Sequence, residues 1–250
     1  MNGNKSSKTI NFAPHKNTDD IIQLFCFPYA GASASIFKSW QSFLPSHIEV
    51  VGIQYPGHGS RISEKPYSSS NDIVNEMLNN IFNFQKKPFA LFGHSMGAMI
   101  AFDLAKRIVT SLKQKPIHLF ISGLAPPQLR KINNFNKTRT NNELINLMEQ
   151  LGGTHSEILS NKELMGLILP ALRSDFQIAD NWFVEDVFDL SIPLTILGGD
   201  ADNEVPEESL TYWSAYTTKK TTIKIYSGDH FFINTNKYQI LNDISTQLIP

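Results

Sequence analysis

The stretch Gly93-His94-Ser95-Met96-Gly97 sets a hydroxyl between two glycines, each two residues away, and raises the chemistry of nucleophilic attack on a carbonyl. A serine at its free pKa is a poor nucleophile, so such chemistry needs a base, an acid to orient it and donors for the developing oxyanion. The pentapeptide by itself decides little, since it arises by chance in roughly one chain of this length in ten. Its surroundings say more. The apolar run Phe89–Gly93 reads as a strand and Met96–Leu112 as a helix, so Ser95 falls on the turn between them. On so tight a turn, side chains at positions 93 and 97 would collide with neighbouring backbone, which explains glycine at both. At the start of the helix the Met96 N–H is free to bind a developing oxyanion.

Chain order in a strand–serine–helix architecture is serine, then acid, then histidine. The seven histidines are His15, His47, His58, His94, His118, His155 and His230. Beyond the strand–helix–strand unit that holds Ser95 and ends in the run with His118, only His155 and His230 follow. His230 comes in "SGDHFF", directly after the β-rich run "TTIKIYSG", and is the expected base. For the acid, "LGGDADNEVPEE" offers Asp200, Asp202 and Glu204 after the run "LTILGG". The spacing of Gly199, Asp202 and Val205 favours Asp202, with Asp200 the alternative that caps the turn. Asp229, next to the histidine, should face solvent. A second oxyanion donor is expected in the small-residue loop "FPYAGASAS", where Tyr29, Ala30 and Gly31 are the candidate N–H groups.

These residues need a scaffold that brings loop ends together. Further strands read from "IIQLFCF", "IEVVGIQY" and "IHLFISGL", and helices from the segment carrying Phe37, Trp40 and Phe43, from "DIVNEMLNNIFNF", "EESLTYWSAY" and "NKYQILNDISTQL". Strands apolar nearly throughout, alternating with helices, predict a doubly wound α/β fold: a mostly parallel sheet with helices on both faces. The catalytic loops then lie at the carboxyl ends of the strands. About seventy residues separate the strands ending at Leu124 and starting at Leu194, far more than a crossover needs. With helical patterns in "NNELINLMEQL" and "NKELMGLILPAL", residues 126–190 are expected to form an α-helical lid insertion. The first twenty residues are expected to be a polar, mobile tail, and residues 21–250 one domain.

Composition removes several function classes. The 250 residues carry a net charge of -1 with pI about 6.7, so no electrostatic footprint for nucleic acid or an anionic membrane is present. Nowhere do eighteen apolar residues run consecutively, and a soluble, cytoplasmic protein is the expectation. Cys26 lies in an apolar run and reads as a core thiol. No metal-ligand cluster, phosphate loop or nucleotide fingerprint is seen, so no cofactor is expected.

The blocks "FPYAGASASIFKSW", "QYPGHGSR", "LFGHSMGAMIAFDLA", "LPALRSDF", "LTILGGDADNEV" and "SGDHFF" together resemble type II thioesterases, the free-standing editing enzymes of nonribosomal peptide and polyketide synthesis. That resemblance implies an α/β-hydrolase fold with Ser95, Asp202 and His230 as triad and the N–H groups of Ala30 and Met96 as oxyanion hole. It implies hydrolysis of acyl thioesters from the phosphopantetheine arm of an acyl or peptidyl carrier protein; a monomer is the expectation for the chain itself, independent of the resemblance. Alternatives are a medium-chain fatty acyl-carrier thioesterase, a general carboxylester hydrolase, or an inactive relative serving as a binding module. The basic stretch Arg130, Lys131, Lys137 and Arg139 is a candidate carrier contact. Two departures concern the mouth of the site: Ala30-Gly31-Ala32 replaces the usual Ala-Gly-Gly, and His58 stands where many relatives carry arginine.

Overall fold

Within each central strand, alternate residues enter opposite cores. Phe25 and Phe27 pack on one face, and Leu24 and Cys26 on the other. Burial on both faces is what a parallel sheet between helical layers demands. The computed structural model describes residues 8–12, 21–82, 85–130, 139–151 and 161–249. Among them seven strands form one sheet: β1 (Thr9–Asn11), β2 (Ile22–Phe27), β3 (Ile48–Ile53), β4 (Phe89–His94), β5 (His118–Ser122), β6 (Leu194–Gly199) and β7 (Thr221–Tyr226). The order is β1-β3-β2-β4-β5-β6-β7, and every pairing is parallel except β1 with β3. The α/β architecture read from the sequence is therefore the one observed.

One face of the sheet is covered by α1 (Ser70–Asn80) and α2 (Met96–Ser111), together with the 3₁₀ segment Glu207–Tyr216. The other is covered by two short 3₁₀ segments, Ala34–Phe37 and Trp40–Phe43, and by helices following β7. Between β5 and β6 stand α3 (Asn141–Leu151) and α4 (Lys162–Asn181). After β7 come α5 (Phe232–Thr235) and α6 (Lys237–Gln247). The helices α3 and α4 share a small cluster of their own, built on Leu144, Met148, Met165, Leu169 and Leu172. The C-terminal part of α4 leaves this satellite cluster and joins the main core through Ile178.

Three expectations change. Part of the N-terminal stretch belongs to the sheet: Thr9–Asn11 pair antiparallel with Val51–Ile53 at its edge. The backbone ladder recruits this segment, and Phe12 directly after it packs against the core. The segments around Trp40 and Trp213 are 3₁₀ rather than α. And α4 runs ten residues or so beyond Leu172, straight through Pro170, because its apolar stripe continues to Ile178.

The turn at Ser95 controls how closely β2, β4 and α2 approach. A Cβ at Gly93 would lie 2.2 Å from the Gly97 carbonyl oxygen, and one at Gly97 would lie 2.1 Å from that of Phe27. Gly166 on α4 has nothing within 4 Å of such an atom. Gly97→Ala should therefore destabilise the fold by about 2 kcal/mol or more, while Gly166→Ala should stabilise it by up to about 1 kcal/mol. Urea-unfolding midpoints of both variants measure the contrast.

Candidate active site

Four strand ends deliver the site. The crevice opens between the carboxyl ends of β2 and β4, where the sheet reverses its winding direction, and ligands of such sheets bind there. Ser95 follows β4 with φ 54° and ψ -120°, a conformation an L-residue adopts only under constraint. Its N–H donates to the Ser122 carbonyl on the neighbouring strand end at 2.8 Å, which holds the turn in place.

His230 and Asp202 meet through the ends of β7 and β6. Backbone bonds tie the two loops together: Asp200 N–H to the Tyr226 carbonyl at 2.9 Å and Ala201 N–H to the Gly228 carbonyl at 3.0 Å. Asp200 Oδ1 accepts from the Gly228 N–H at 2.8 Å, the turn-capping role foreseen as its alternative. Asp202 Oδ1 accepts from the N–H groups of Glu204 and Val205, which aims Oδ2 at the histidine. His230 Nδ1 lies 2.8 Å from Asp202 Oδ2, and Nε2 lies 3.0 Å from Ser95 Oγ. The Asp202 side chain is fully buried, and that of His230 is 12% exposed. With Nδ1 donating to a carboxylate, Nε2 is left as the acceptor for the serine proton. The three residues chosen from the sequence are thus brought into one relay. Asp229 is exposed, and its side chain accepts from the Phe231 N–H of its own loop.

Of the three candidate donors in the loop after β2, Gly31 is already engaged: its N–H donates to Asp175 Oδ2 at 2.7 Å. Among the described residues, no acceptor is recorded for the N–H of Ala30 or of Met96. Tyr29 packs edge-on against Phe231 and His94 at the mouth. His94 itself is buried, with Nδ1 2.9 Å from Ser122 Oγ; burial first, and then the neighbouring His230, push its pKa well below the ordinary range. It stays neutral and leaves the relay a single cationic centre to form.

A cavity of about 520 Å³ opens from Ser95 and His230, walled by Met99, Leu124, Leu147, Phe176 and Val205. That is the size range of sites for small organic ligands. Arg130 and Arg139 line its outer end, and both are spent on α4: Arg130 donates to the Ala179 carbonyl and lies over the Trp182 ring, and Arg139 pairs with Asp180. Two members of the expected basic carrier contact therefore brace the insertion. Lys131, Lys137 and His155 lie outside the described residues.

Two residues near the site went without a role in the sequence reading. Asp175 is 2% exposed on α4, and its Oδ2 is 2.9 Å from His58 Nε2 as well as accepting from Gly31. An acidic residue on the buried stripe of an amphipathic helix must find partners, and that was the available signal. Asp103 on α2 accepts from the Trp182 indole at 3.0 Å, tying the end of α4 to the helix that begins at Ser95.

A protein-family model described as "Thioesterase domain" matches residues 22–248. Gramicidin S biosynthesis protein GrsT of Aneurinibacillus migulanus is 36% identical, over 91% of this chain and 89% of that one. Thioesterase PikA5 of Streptomyces venezuelae is 31% identical, over 94% and 84%. The structure of the type II thioesterase BorB, from the borrelidin biosynthetic cluster, has a TM-score of 0.87 at 29% identity, covering 96% of this chain and 97% of its own.

The buried Asp103 gives a pH test of how α4 is held. Burial raises its pKa from 3.8 to about 6, against the opposing bonds from Ser70 and Trp182. A raised carboxyl pKa contributes stability below the unfolded value that is lost as pH rises through the folded one. Asp103→Asn keeps an acceptor for Trp182 and should be more stable than wild type at pH 7.5. The advantage should shrink as pH falls from about 6 to about 4, read from urea midpoints across that range.

The matched model and the shared fold span nearly the whole of the described chain, and on that ground this chain belongs to the thioesterase family.

Proposed function

We propose that this protein hydrolyses aberrant or stalled acyl groups from the phosphopantetheine arm of carrier proteins in nonribosomal peptide or polyketide synthesis. The observation that carries the reading is the continuous relay from Ser95 Oγ through His230 to Asp202, beside two unengaged N–H groups. Its setting is a thioester hydrolase whose relatives include the gramicidin S biosynthesis protein GrsT.

In the proposed reaction, His230 Nε2 takes the Ser95 proton as Oγ attacks the thioester carbonyl. The N–H groups of Ala30 and Met96 receive the oxyanion, and Asp202 stabilises the imidazolium. Collapse of the tetrahedral species expels the phosphopantetheine thiolate, which takes the proton from His230, and leaves acyl-Ser95. Water, deprotonated by the same imidazole, then releases the acid and restores the serine. A thiol leaves readily, so the leaving group asks less of the general acid than an amine would. The α3–α4 insertion covers the cavity and in this reading sets which acyl chains reach Ser95.

A panel of acyl groups loaded on peptidyl, polyketide and fatty acyl carriers, with released acid measured, tests the proposal. Short or non-native acyl groups on peptidyl or polyketide carriers should be released well above the Ser95→Ala background. Asp202→Asn, which disrupts the tautomer His230 needs, should lower kcat about 10⁴-fold. A strong preference for medium-length chains on the fatty acyl carrier would favour the fatty-acid alternative. Equal turnover of simple esters and carrier thioesters would favour a general ester hydrolase.

A further inference from the structure

The loop carrying the Ala30 N–H is held by one carboxylate from a distant helix. Asp175 Oδ2 accepts from the adjacent Gly31 N–H at 2.7 Å and lies 2.9 Å from His58 Nε2. Gly31 adopts φ 77°, so its peptide is turned by this contact while Ala30 N–H is left unengaged. A Cβ at Gly31 would press on Leu172 of α4 at 2.9 Å, so loop and helix are in direct contact.

The second partner of Asp175 carries the charge. His58 Nδ1 faces the Pro56 carbonyl at 3.0 Å, and Nε2 faces the Asp175 carboxylate. A carbonyl only accepts, and so does an ionised carboxylate, so both contacts are satisfied together when each ring nitrogen holds a proton, as in the imidazolium. His58 is 5% exposed and Asp175 2%, which makes this a buried ion pair. The loop carrying His58 is itself fixed: Arg61 donates to the Gln54 carbonyl and forks onto both oxygens of Glu76 at 2.9 Å. Asp175, from α4, and Tyr55, at the end of β3, are the ionisable groups facing the ring. Tyr55 donates to the Pro28 carbonyl in the same loop, and burial, with the Asp175 charge, holds its phenol well above the usual range, so it stays neutral.

We propose that His58 and Asp175 are positioning residues that hold the Tyr29–Gly31 loop with Ala30 N–H facing the oxyanion, so that protonated His58 is the form competent for turnover. This rests on the reading of Ser95 as nucleophile and Ala30 N–H as oxyanion donor. It gives the buried Asp175 of α4 a place in the reaction and explains why a histidine can stand at position 58. Any cation with donors in two directions satisfies the same two acceptors.

The pH direction follows from the pair. Burial alone would lower the His58 pKa, but the hydrogen bond and charge of Asp175, helped by Pro56, raise it above 6.5. The pair is therefore complete below about pH 6.5 and is lost as pH rises through the higher folded value. Beyond that point one acceptor is left without a proton, and the carboxylate that accepts from Gly31 loses the His58 contact that fixes it.

The test compares wild type with His58→Arg, His58→Gln and Asp175→Asn, using an acyl-N-acetylcysteamine thioester and the labelling rate with a fluorophosphonate. His58→Gln and Asp175→Asn should lower kcat and the labelling rate about 10- to 100-fold at pH 6.5, with KM changed less than about threefold. His58→Arg should recover most of the rate lost in His58→Gln and remove the alkaline fall in kcat shown by wild type. Equal labelling rates in folded His58→Gln and wild type would overturn the proposal. So would an alkaline limb unchanged in His58→Arg, a comparison that holds even if Asp175→Asn does not fold. Wild type that never labels at Ser95 would instead overturn the underlying reading, and this proposal with it.

Discussion

At Gly97 the first turn of α2 presses against the end of β2 with no room for a side chain, the Phe27 and Pro28 carbonyl oxygens standing 2.1 and 2.6 Å from where a Cβ would be. That approach decides most of the rest. It forces the chain between β4 and α2 into a turn so tight that Ser95 takes a positive φ and projects its hydroxyl into the crevice. It also sets the loop after β2 beside the N-terminus of α2, so the Ala30 and Met96 N–H groups can serve one oxyanion. A single close contact of backbone on backbone thus connects the position of the proposed nucleophile with the position of its oxyanion donors.

The remaining parts use the same device farther along the sheet. A Cβ at Gly199 would lie 2.5 Å from the Gly228 carbonyl oxygen, so the ends of β6 and β7 nearly touch. Asp202 and His230, 28 residues apart in the chain, meet because their loops leave that shared corner. The rigidity has a purpose in the proposed chemistry. Hydrogen bonds at fixed positions stabilise developing charge without reorganising, which solvent cannot do. The insertion has a small core of its own and is tied to the rest by polar contacts that include Asp175 to the oxyanion loop, Trp182 to Asp103 and Gln128 to the Tyr212 carbonyl, while Ile178 and Trp182 pack into the main core.

How much of this can be read from the amino-acid order depends on how local the cause is. The strands β2 to β6 were legible because burial on both faces writes an apolar run, β7 from its β-branched residues, and Ser95 because its turn needs glycine on either side. His230 and Asp202 followed from chain order and from their places just past strand ends. Long-range or backbone causes left weaker traces. The edge strand Thr9–Asn11 is held by main-chain pairing with β3, and its one aromatic neighbour, Phe12, is too faint a signal to mark it in the sequence. The continuation of α4 through Pro170 depends on burial of Ile178 and Trp182 against the main core, which outweighs the lost hydrogen bond. Asp175 and His58 lie 117 residues apart, and nothing in either neighbourhood announces the other. Of the oxyanion donors, the residues alone left Tyr29, Ala30 and Gly31 equal; the bond from Gly31 to Asp175 takes Gly31 out of that set.

Attack by Ser95 leaves a covalent trace, and rapid-quench mass spectrometry of the enzyme mixed with an acylated carrier reads it most directly. Digestion of the quenched protein should give the peptide spanning residues 89–102 heavier by the mass of the acyl group, with fragmentation placing the addition on Ser95. That species should form and decay at rates consistent with turnover. Steady release of free acid with residues 89–102 never acylated, or with the acyl group on another side chain, would contradict nucleophilic attack by Ser95.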